Sequence, residues 1–213
     1  MKFSHIIWDW NGTIVDDADL CVRIVNQILN EFKLEPVSVT FYRNNFSFPV
    51  SEYYNKIGLP SDITNYNEIS TRFIKEYRKV FYSIDLQDFV LDCITQFKVN
   101  KISQSILSAS NGNDLDVFTA YYKINHYFSK LSGVDNIHAN GKFDIAHAHL
   151  VDLTSPKSEI LLIGDTVHDA EIASQLGINC LLYTGGHNSK KLLSACPFPV
   201  VDCFKDVLYF VLD

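Results

Sequence analysis

A largely apolar run from Phe3 to Trp8 ends at the segment Asp9-Trp10-Asn11-Gly12-Thr13. A short apolar run that stops at turn residues is typical of a buried strand. An aspartate at the carboxyl end of such a strand, followed by a glycine turn, can present a carboxylate nucleophile at the mouth of an α/β sheet. The same residues also suit an ordinary turn, because Asn-Gly favours positive φ and aspartate accepts backbone hydrogen bonds.

Apolar runs and helical patterns alternate along most of the remaining chain. We predict strands at Phe3–Trp8, Ser105–Leu107, Ile160–Ile163, Asn179–Tyr183 and Pro199–Asp202. We predict helices at Leu115–Ile124, Asp144–Leu150, His168–Leu176 and Ser189–Ser194. The continuous apolar run at Ile160–Ile163 suits a strand buried on both faces. The alternation predicts an α/β fold, a doubly wound parallel sheet with helices on both faces.

The segment 16–84 differs from the rest, because it contains no convincing strand. Its apolar residues recur at helical spacing, and Pro36, Pro49 and Pro60 divide it into short pieces. We therefore predict an all-helical cap domain over 16–84, inserted into an α/β core formed by 1–15 and 85–213. The many aromatic residues of the segment suit the core of this bundle, and some of them suit a substrate cleft between the domains.

Composition and charge exclude several classes of partner. The 213 residues carry a formal net charge of −7, which argues against nucleic acid and against an anionic membrane surface as partners. No apolar stretch is long enough to span a bilayer. The five cysteines form no C-x-x-C pair and lie in apolar segments, which indicates reduced thiols and a cytoplasmic location. The sequence does not specify an oligomeric state.

Four short motifs fall where the predicted strands end or a helix begins. They contain Asp9 and Asn11, then Ser108, then Lys142, and finally the run Gly164–Asp169. Because the carboxyl ends of parallel strands meet at one edge of a sheet, these side chains should converge. A nucleophilic carboxylate, a hydroxyl, an ammonium group and further carboxylates suited to Mg²⁺ are the groups that phosphoryl transfer needs.

Each motif has a plainer interpretation when it is taken alone. Ser108 can be a strand-end cap, and Lys142 can be an ordinary surface lysine. Asp165 and Asp169 stand near a helix start, where acidic residues are common because they interact favourably with the helix dipole. The order and spacing of all four motifs together make the signal specific.

These motifs identify a family resemblance that covers nearly the whole chain. Asp9–Asp16 (DWNGTIVD), Leu107-Ser108-Ala109, Gly141-Lys142 and Gly164–Asp169 (GDTVHD) resemble the motifs of the haloacid dehalogenase-like hydrolase superfamily. The resemblance is to its phosphoglycolate phosphatase-like branch, in which a helical cap is inserted after the first motif. It implies a Mg²⁺-dependent phosphatase that acts on a small phosphorylated metabolite through an aspartyl-phosphate intermediate.

The resemblance also implies a role for each motif residue. Asp9 would be the nucleophile, and the Mg²⁺ ligands would be Asp9, Asp165 and the backbone carbonyl of Asn11, with Asp169 supporting the metal. The phosphate-binding residues would be Thr13, Ser108, Ala109 and Lys142.

Asn11 departs from the family pattern, which usually has an aspartate there as general acid and base. An amide has no proton to exchange near neutral pH. Three explanations remain open: the leaving group needs little protonation, another residue such as His168 or a cap residue supplies the proton, or the protein is a slow enzyme or a non-hydrolytic phosphometabolite-binding protein. His187, in a Gly-Gly-His loop, suits a turn better than the site. Asn11→Asp would restore a titratable group, and we expect it to accelerate hydrolysis of alkyl phosphates.

A phosphotransferase or mutase of the same fold is an alternative activity, because it would share this core. The identity of the substrate cannot be inferred from the motifs. The candidates for substrate specificity are cap residues: Arg43, Tyr53, Tyr54 and Lys56.

Overall fold

The computed structural model describes residues 2–60, 62–135 and 142–213. Its strands are β1 (His5–Trp8), β2 (Ser103–Asn111), β3 (Lys130–Val134), β4 (Ile160–Gly164), β5 (Asn179–Tyr183) and β6 (Val200–Val201). Its α-helices are α1 (Ala18–Glu31), α2 (Val39–Asn45), α3 (Val50–Lys56), α4 (Ile63–Val80), α5 (Val90–Val99), α6 (Gly112–Tyr121), α7 (Lys142–Val151), α8 (Val167–Leu176), α9 (Lys190–Leu193) and α10 (Phe204–Leu212). Short 3-10 helices lie at Phe81–Ser83, Asn125–Tyr127 and Lys157–Glu159.

The strands form one parallel sheet in the order β3-β2-β1-β4-β5-β6. The order reverses direction at β1, so β1 lies between β2 and β4, with Trp8 paired to Ile106 and to Ile163. All four residues of β1 are buried, as its apolar sequence requires. The predicted α/β fold with a doubly wound parallel sheet is confirmed, and the carboxyl ends of β1, β2 and β4 adjoin one another.

The sequence interpretation missed β3 and ended β2 too early. The β3 sequence Lys-Leu-Ser-Gly-Val is only partly buried because it forms an edge of the sheet, so it shows no apolar run. The predicted strand at Ser105–Leu107 extends to Asn111 in the structure. Its pairing with β3 is irregular between Leu107 and Asn111, and the small residues Ser108, Ala109 and Ser110 occupy this interrupted part of the ladder.

Helices α1 to α4 lie between β1 and α5, and no strand lies among the described residues of 16–84. Cys21, Ile24, Val25 and Ile28 form the buried face of α1, which packs against α4. This arrangement agrees with an inserted helical segment. The domain boundaries at 15 and 85 stay a prediction.

Two further helices, α5 and α10, were not predicted. Phe204, Val207 and Val211 of α10 are buried at helical spacing, and α10 packs against α5 beside the sheet. Within the described parts of the chain, no helix is both long enough and apolar enough to cross a membrane.

Candidate active site

The turn after β1 places Asp9 at the carboxyl end of the central strand. Asp9 is buried, and the turn continues through Gly12, whose φ is +74°. A Cβ atom on Gly12 would lie 2.4 Å from Oδ2 of Asp165 and 2.6 Å from Cδ2 of His187. Glycine is therefore required here both by the backbone conformation and by the close approach of two side chains of the site.

Lys142 joins two buried carboxylates at this edge of the sheet. Its Nζ atom lies 2.5 Å from Oδ1 of Asp9 and 2.7 Å from Oδ1 of Asp169. Lys142 is the first residue of α7, and its side chain is buried. The Gly141 that precedes it in the predicted motif lies outside the described residues. The structure thus brings together the predicted nucleophile, lysine and distal aspartate.

The turn after β4 holds the other two acidic side chains. Thr166 and Asp169 form a capping box at the start of α8, with the Thr166 backbone N–H donating to Oδ2 of Asp169 at 3.0 Å. Asp165 accepts hydrogen bonds from the Thr13 hydroxyl at 2.7 Å and from the His187 backbone N–H at 2.6 Å. Thr13, predicted to contact phosphate, therefore contacts a carboxylate of the site through its hydroxyl group.

The three carboxylates form a set of oxygen donors that fits a divalent cation. One oxygen atom from each of Asp9, Asp165 and Asp169 lies within 4.8 Å of the others, and all three residues are buried. Burial raises the pKa of Asp9 to about 8, although Lys142 opposes the shift, and burial raises the pKa of Asp165 to about 6. These shifts indicate that one lysine does not compensate the buried negative charge. Oxygen ligands and excess negative charge are what Mg²⁺ prefers.

The charge states of Lys142 and Asp169 follow from their pairing. Burial alone would lower the pKa of the Lys142 ammonium, but the carboxylates of Asp169 and Asp9 raise it above its ordinary value. Burial would likewise raise the pKa of Asp169, yet Lys142 and the Thr166 hydrogen bonds hold it below its usual range. Lys142 is thus a cation and Asp169 an anion at neutral pH.

Ser108 and Ala109 face the same cavity as Asp9 and Lys142. The buried Ser108 hydroxyl accepts a 3.0 Å hydrogen bond from the backbone N–H of Ser110. These residues belong to the part of β2 whose ladder with β3 is irregular. Their position beside the predicted nucleophile suits contacts to the oxygen atoms of a phosphate group.

The side chain of Asn11 uses all of its hydrogen-bonding groups within the protein. Its Nδ2 amide donates to Oδ2 of Asp17 at 2.6 Å and to the Tyr77 hydroxyl at 3.0 Å. Its Oδ1 atom accepts from the Ser110 hydroxyl at 2.6 Å. The network fits an amide at position 11, because two donors and one acceptor are each matched.

Asp17 is a fully buried carboxylate that the motif interpretation did not single out. It accepts hydrogen bonds from the Gly12 backbone N–H at 2.8 Å and from the Tyr77 hydroxyl at 2.8 Å. Nε2 of His187 lies 3.2 Å from Oδ1 of Asp17, and Nδ1 of His187 lies 2.9 Å from the Tyr42 hydroxyl. The His187 loop therefore connects the turn after β1 to helix α2.

The ion pair between Asp17 and His187 fixes two charges beside the site. Burial by itself would lower the pKa of His187, but the Asp17 carboxylate raises it to about 9. Burial would raise the pKa of Asp17, and His187 together with Asn11 and Tyr77 holds it below its usual range. His187 is thus a cation at neutral pH, with Asp17 as its counter-ion.

Comparison with known proteins identifies the family. The model of the haloacid dehalogenase-like hydrolase family matches residues 6–183, which contain every motif described above. The chain belongs to the haloacid dehalogenase-like hydrolases.

Relatives of this haloacid dehalogenase-like hydrolase have phosphatase names. The chain is 23% identical over 208 residues to a phosphoglycolate phosphatase from Synechococcus elongatus, covering 97% of this chain and 96% of the relative. The crystal structure of a predicted phosphatase from Clostridium acetobutylicum superposes with a TM-score of 0.84 at 16% identity, covering 100% and 99% of the two chains. A predicted phosphoglycolate phosphatase from Haemophilus somnus gives a TM-score of 0.78 at 16% identity, covering 99% and 98%. These structures show the same fold.

His168, the histidine of the GDTVHD motif, lies in the first turn of α8 and contacts the α2–α3 connection. Its Nδ1 atom lies 3.4 Å from Oε2 of Glu171, and its ring stacks on Phe48 with the centroids 4.8 Å apart. Burial lowers its pKa. Of the two histidines near the site, His187 lines the cavity that Asp9 opens into and His168 does not. The predicted proton-supplying role of His168 stays a prediction.

The structure separates the four specificity candidates of this hydrolase into two pairs. Tyr53 and Tyr54 are buried and line the cavity above Asp9, which has a volume of about 140 Å³. Arg43 donates instead to the carbonyl of Gly185 at 3.1 Å, and Lys56 is exposed to solvent. Among the described residues, Arg43 and Lys56 lie outside the cavity lining. Their roles in specificity stay predictions.

Proposed function

We propose that this hydrolase is a Mg²⁺-dependent phosphatase that cleaves a small phosphate monoester through an aspartyl-phosphate intermediate. The observation that carries the proposal is the ion-paired group of Asp9, Lys142 and Asp169, which is buried at the carboxyl edge of the sheet and opens into a cavity. The phosphatase names of the relatives support the same assignment.

The geometry supports a double displacement at phosphorus. A carboxylate oxygen of Asp9 attacks the phosphorus atom while the bond from phosphorus to the leaving oxygen breaks. Water then attacks the aspartyl-phosphate, which releases inorganic phosphate and restores the carboxylate. Lys142 favours the ionised form of Asp9 against the effect of burial, orients its carboxylate, and offsets charge on the phosphoryl oxygens. Ser108 and Ala109, which line the cavity with Asp9, suit contacts to the remaining phosphoryl oxygens.

The proposal that the site binds Mg²⁺ rests on its set of oxygen donors alone. Asp9, Asp165 and the backbone carbonyl of Asn11 would hold Mg²⁺, with Asp169 in support. A bound Mg²⁺ ion would neutralise charge on the phosphate oxygens. Thr13 and the backbone N–H of His187 orient Asp165 for this role, because both donate hydrogen bonds to its carboxylate.

The network around Asn11 also favours a second candidate function, a phosphometabolite-binding protein that turns over slowly or not at all. Asn11 can give no proton to the leaving oxygen, and its amide hydrogens are held by Asp17 and Tyr77. General acid catalysis is typically worth about 10²–10⁴-fold in rate. Without a proton donor elsewhere in the site, such a phosphatase would depend on a leaving group that departs without protonation.

Turnover of acetyl phosphate separates the two candidates, because its leaving group needs little protonation. We expect the wild-type protein to release inorganic phosphate from acetyl phosphate in the presence of Mg²⁺. This turnover should stop in excess EDTA and resume when Mg²⁺ is restored. The Asp9→Asn variant is the matched control for spontaneous hydrolysis. Release by wild type no faster than by Asp9→Asn would favour the binding protein. Full activity in EDTA would exclude the metal-dependent mechanism.

A further inference from the structure

We infer that the substrate is an aryl phosphate, a phosphate monoester of an uncharged phenol, rather than a phosphorylated carboxylic acid. The inference rests on the proposed phosphatase function for its chemical step. Its binding part rests independently on the cavity that lies between Asp9 and helices α2 to α4.

Aromatic side chains form most of the cavity wall opposite the predicted nucleophile. The aromatic residues that line it include Tyr42, Phe46, Tyr53, Phe73, Tyr77 and Phe118. Tyr42 and Phe46 stack with their centroids 4.9 Å apart, and Tyr53 meets Tyr42 edge-to-face at 5.5 Å. Walls of this kind favour an aromatic guest, because ring pairs gain energy beyond the area that they bury.

The size of the cavity suits a single ring. Its volume of about 140 Å³ must hold the phosphate group, beside Asp9 and Lys142, as well as the organic part of the substrate. An engineered apolar cavity of about 150 Å³ takes up benzene, so the space here leaves room for no more than one ring. The wall and the volume together favour one six-membered ring.

The positively charged side chains that line the cavity are already paired with carboxylates of the protein, which argues against a carboxylate on the substrate. Lys142 is bound to Asp9 and Asp169, and His187 is paired with Asp17. No other lysine, arginine or histidine lines the cavity among the residues that the structure describes. A buried carboxylate without a cationic partner is costly, so the lining selects against an acidic leaving group.

Tyr53 offers one polar contact to the guest. Its side chain is 1% exposed, and its hydroxyl group is buried with no hydrogen-bond partner among the described residues. A buried unpaired hydroxyl is unfavourable, and a polar ring substituent on the substrate would pair with it. Tyr53 lines the cavity with the other aromatic residues, so this contact is available to a ring held there.

The chemistry at Asn11 leads to the same substrate class from a different observation. The leaving oxygen must depart without a proton from position 11, because Asn11 has none to give. A phenolate is a suitable leaving group, since phenol has a pKa of about 10 while an alkoxide is nearly as basic as hydroxide. Asp9 forms the new bond to phosphorus, the bond to the aryl oxygen breaks, and the phenolate takes a proton from water afterwards.

A binding experiment tests the cavity without relying on turnover. Isothermal titration calorimetry with Mg²⁺ would compare phenylphosphonate with phosphonoacetate, two non-hydrolysable probes that differ in carrying a ring or a carboxylate. We expect phenylphosphonate to bind at least tenfold more tightly. Equal affinities, or tighter binding of phosphonoacetate, would overturn the inference even if the protein proves to be an active phosphatase.

A kinetic comparison then tests the chemical part. We expect kcat/KM to decrease in the order phenyl phosphate, benzyl phosphate, ethyl phosphate, with 2-phosphoglycolate no better than ethyl phosphate. Benzyl and ethyl phosphate both release an alkoxide, so their ratio measures recognition of the ring alone. A preference for 2-phosphoglycolate over phenyl phosphate overturns the inference. If neither the esters nor acetyl phosphate are turned over, both the proposed phosphatase function and the proposed release of a phenolate are overturned. The phosphonate affinities would then still show whether the cavity binds an aromatic ring.

Substitutions at Phe73 provide the matched variants. Phe73 lines the cavity but is only partly buried, so a change there should leave the protein folded. Phe73→Ala should weaken phenylphosphonate binding about tenfold without improving that of phosphonoacetate, and Phe73→Arg should reverse the preference by adding a cation. Tyr209→Ala, a change at a tyrosine that is 63% exposed on α10, should alter neither affinity. Unchanged affinities in both Phe73 variants would contradict an aromatic guest in this cavity.

Discussion

The side-chain amide of Asn11 donates a 2.6 Å hydrogen bond to the carboxylate of Asp17, a side chain with no exposed surface. The pair combines a neutral donor with a charged acceptor next to the predicted nucleophile. A carboxylate at position 11 would instead face a second carboxylate at hydrogen-bonding distance. Two like charges 4 Å apart repel each other by about 4 kcal/mol at an effective dielectric constant of 20.

Restoring an aspartate at position 11 should therefore destabilise the protein unless Asp17 changes as well. We expect Asn11→Asp to lower the free energy of unfolding by about 2 kcal/mol or more, because it places an acid against a buried carboxylate. The double variant Asn11→Asp/Asp17→Asn restores one amide and one carboxylate and should recover part of that loss. Urea unfolding of both variants and of Asp17→Asn would measure the coupling.

The same variants bear on the acceleration expected from an acid at position 11. In the single variant the new carboxyl group would share a proton with Asp17, so it would give little to the leaving oxygen. The double variant should accelerate ethyl phosphate hydrolysis about tenfold, a modest share of the usual acid–base contribution. A single variant as stable as wild type would show that Asp17 does not restrict position 11.

Asp9→Asn should abolish steady-state turnover of acetyl phosphate while leaving the protein folded, because an amide is a poor nucleophile. Asp116→Asn, which changes an exposed aspartate on α6, is the matched control and should keep full activity. Phosphate release and the circular dichroism spectrum would be measured on both variants. Turnover above about a tenth of wild type in folded Asp9→Asn would remove Asp9 from the nucleophilic role.

The strands that the sequence predicted well are those buried on both faces. The run at Ile160–Ile163 is apolar at each position because helices cover both sides of the sheet there. The β3 strand at Lys130–Val134 was not predicted, because an edge strand tolerates Lys, Ser and Gly and so shows no apolar run. Its existence depends on pairing with β2, which a local sequence pattern does not contain.

The part of the site that the sequence predicted is the part built at strand ends. Asp9 and Asp165 follow β1 and β4, whose carboxyl ends adjoin at one edge of the sheet. Asp169, in the first turn of α8, and Lys142, at the start of α7, meet them there. The sequence could not show that Asp17 is buried, because an aspartate before a helix is usually an exposed cap. Its partners come from elements distant in sequence: Tyr77 lies on α4, and His187 lies in the loop after β5.

Mg²⁺ affinity should rise with pH. Burial places the pKa of Asp9 at about 8 and that of Asp165 at about 6 in the metal-free protein, so both groups hold more protons at pH 6 than at pH 8. Mg²⁺ binds the ionised carboxylates and must displace those protons. We expect the affinity to increase at least tenfold between pH 6 and pH 8.

Calorimetric Mg²⁺ titrations in two buffers of different ionisation enthalpy would measure both the affinity and the protons released. Asp165→Asn should weaken binding strongly, since it removes a proposed direct ligand, and Asp169→Asn should weaken it less. An affinity that does not change between pH 6 and pH 8, with no proton release, would place the metal away from these carboxylates.

A second group of buried titratable residues, His5 and His149, affects the stability of the protein. Nε2 of His5 lies 2.7 Å from the Ser105 hydroxyl, which lies 2.8 Å from Nε2 of His149. Nδ1 of His149 lies 2.7 Å from the Ser132 hydroxyl, so the chain of hydrogen bonds crosses β1, β2, α7 and β3. Burial lowers the pKa of both His5 and His149 to about 4. Both imidazoles are therefore neutral at pH 7.

Acidification should reduce stability through these histidines. Their pKa values are lower in the folded than in the unfolded protein, so the unfolded state binds more protons and stability is lost as the pH falls from 6.5 toward 4. For His149 we expect a loss of about 2 kcal/mol between pH 7 and pH 5. The raised pKa of Asp9 acts in the opposite direction, so the effect must be measured as a difference between variants.

Urea unfolding at pH 7 and pH 5 would compare wild type with His149→Gln, which keeps a polar group but cannot take up a proton. We expect the stability lost between the two pH values to be about 2 kcal/mol smaller in His149→Gln. His147→Gln, a change at an exposed histidine of the same helix, is the matched control and should keep the wild-type difference. If His149→Gln and wild type lose the same stability between pH 7 and pH 5, then His149 is not held neutral by burial. The hydrogen-bonded chain from His5 to Ser132 would then have to accommodate a charged imidazole.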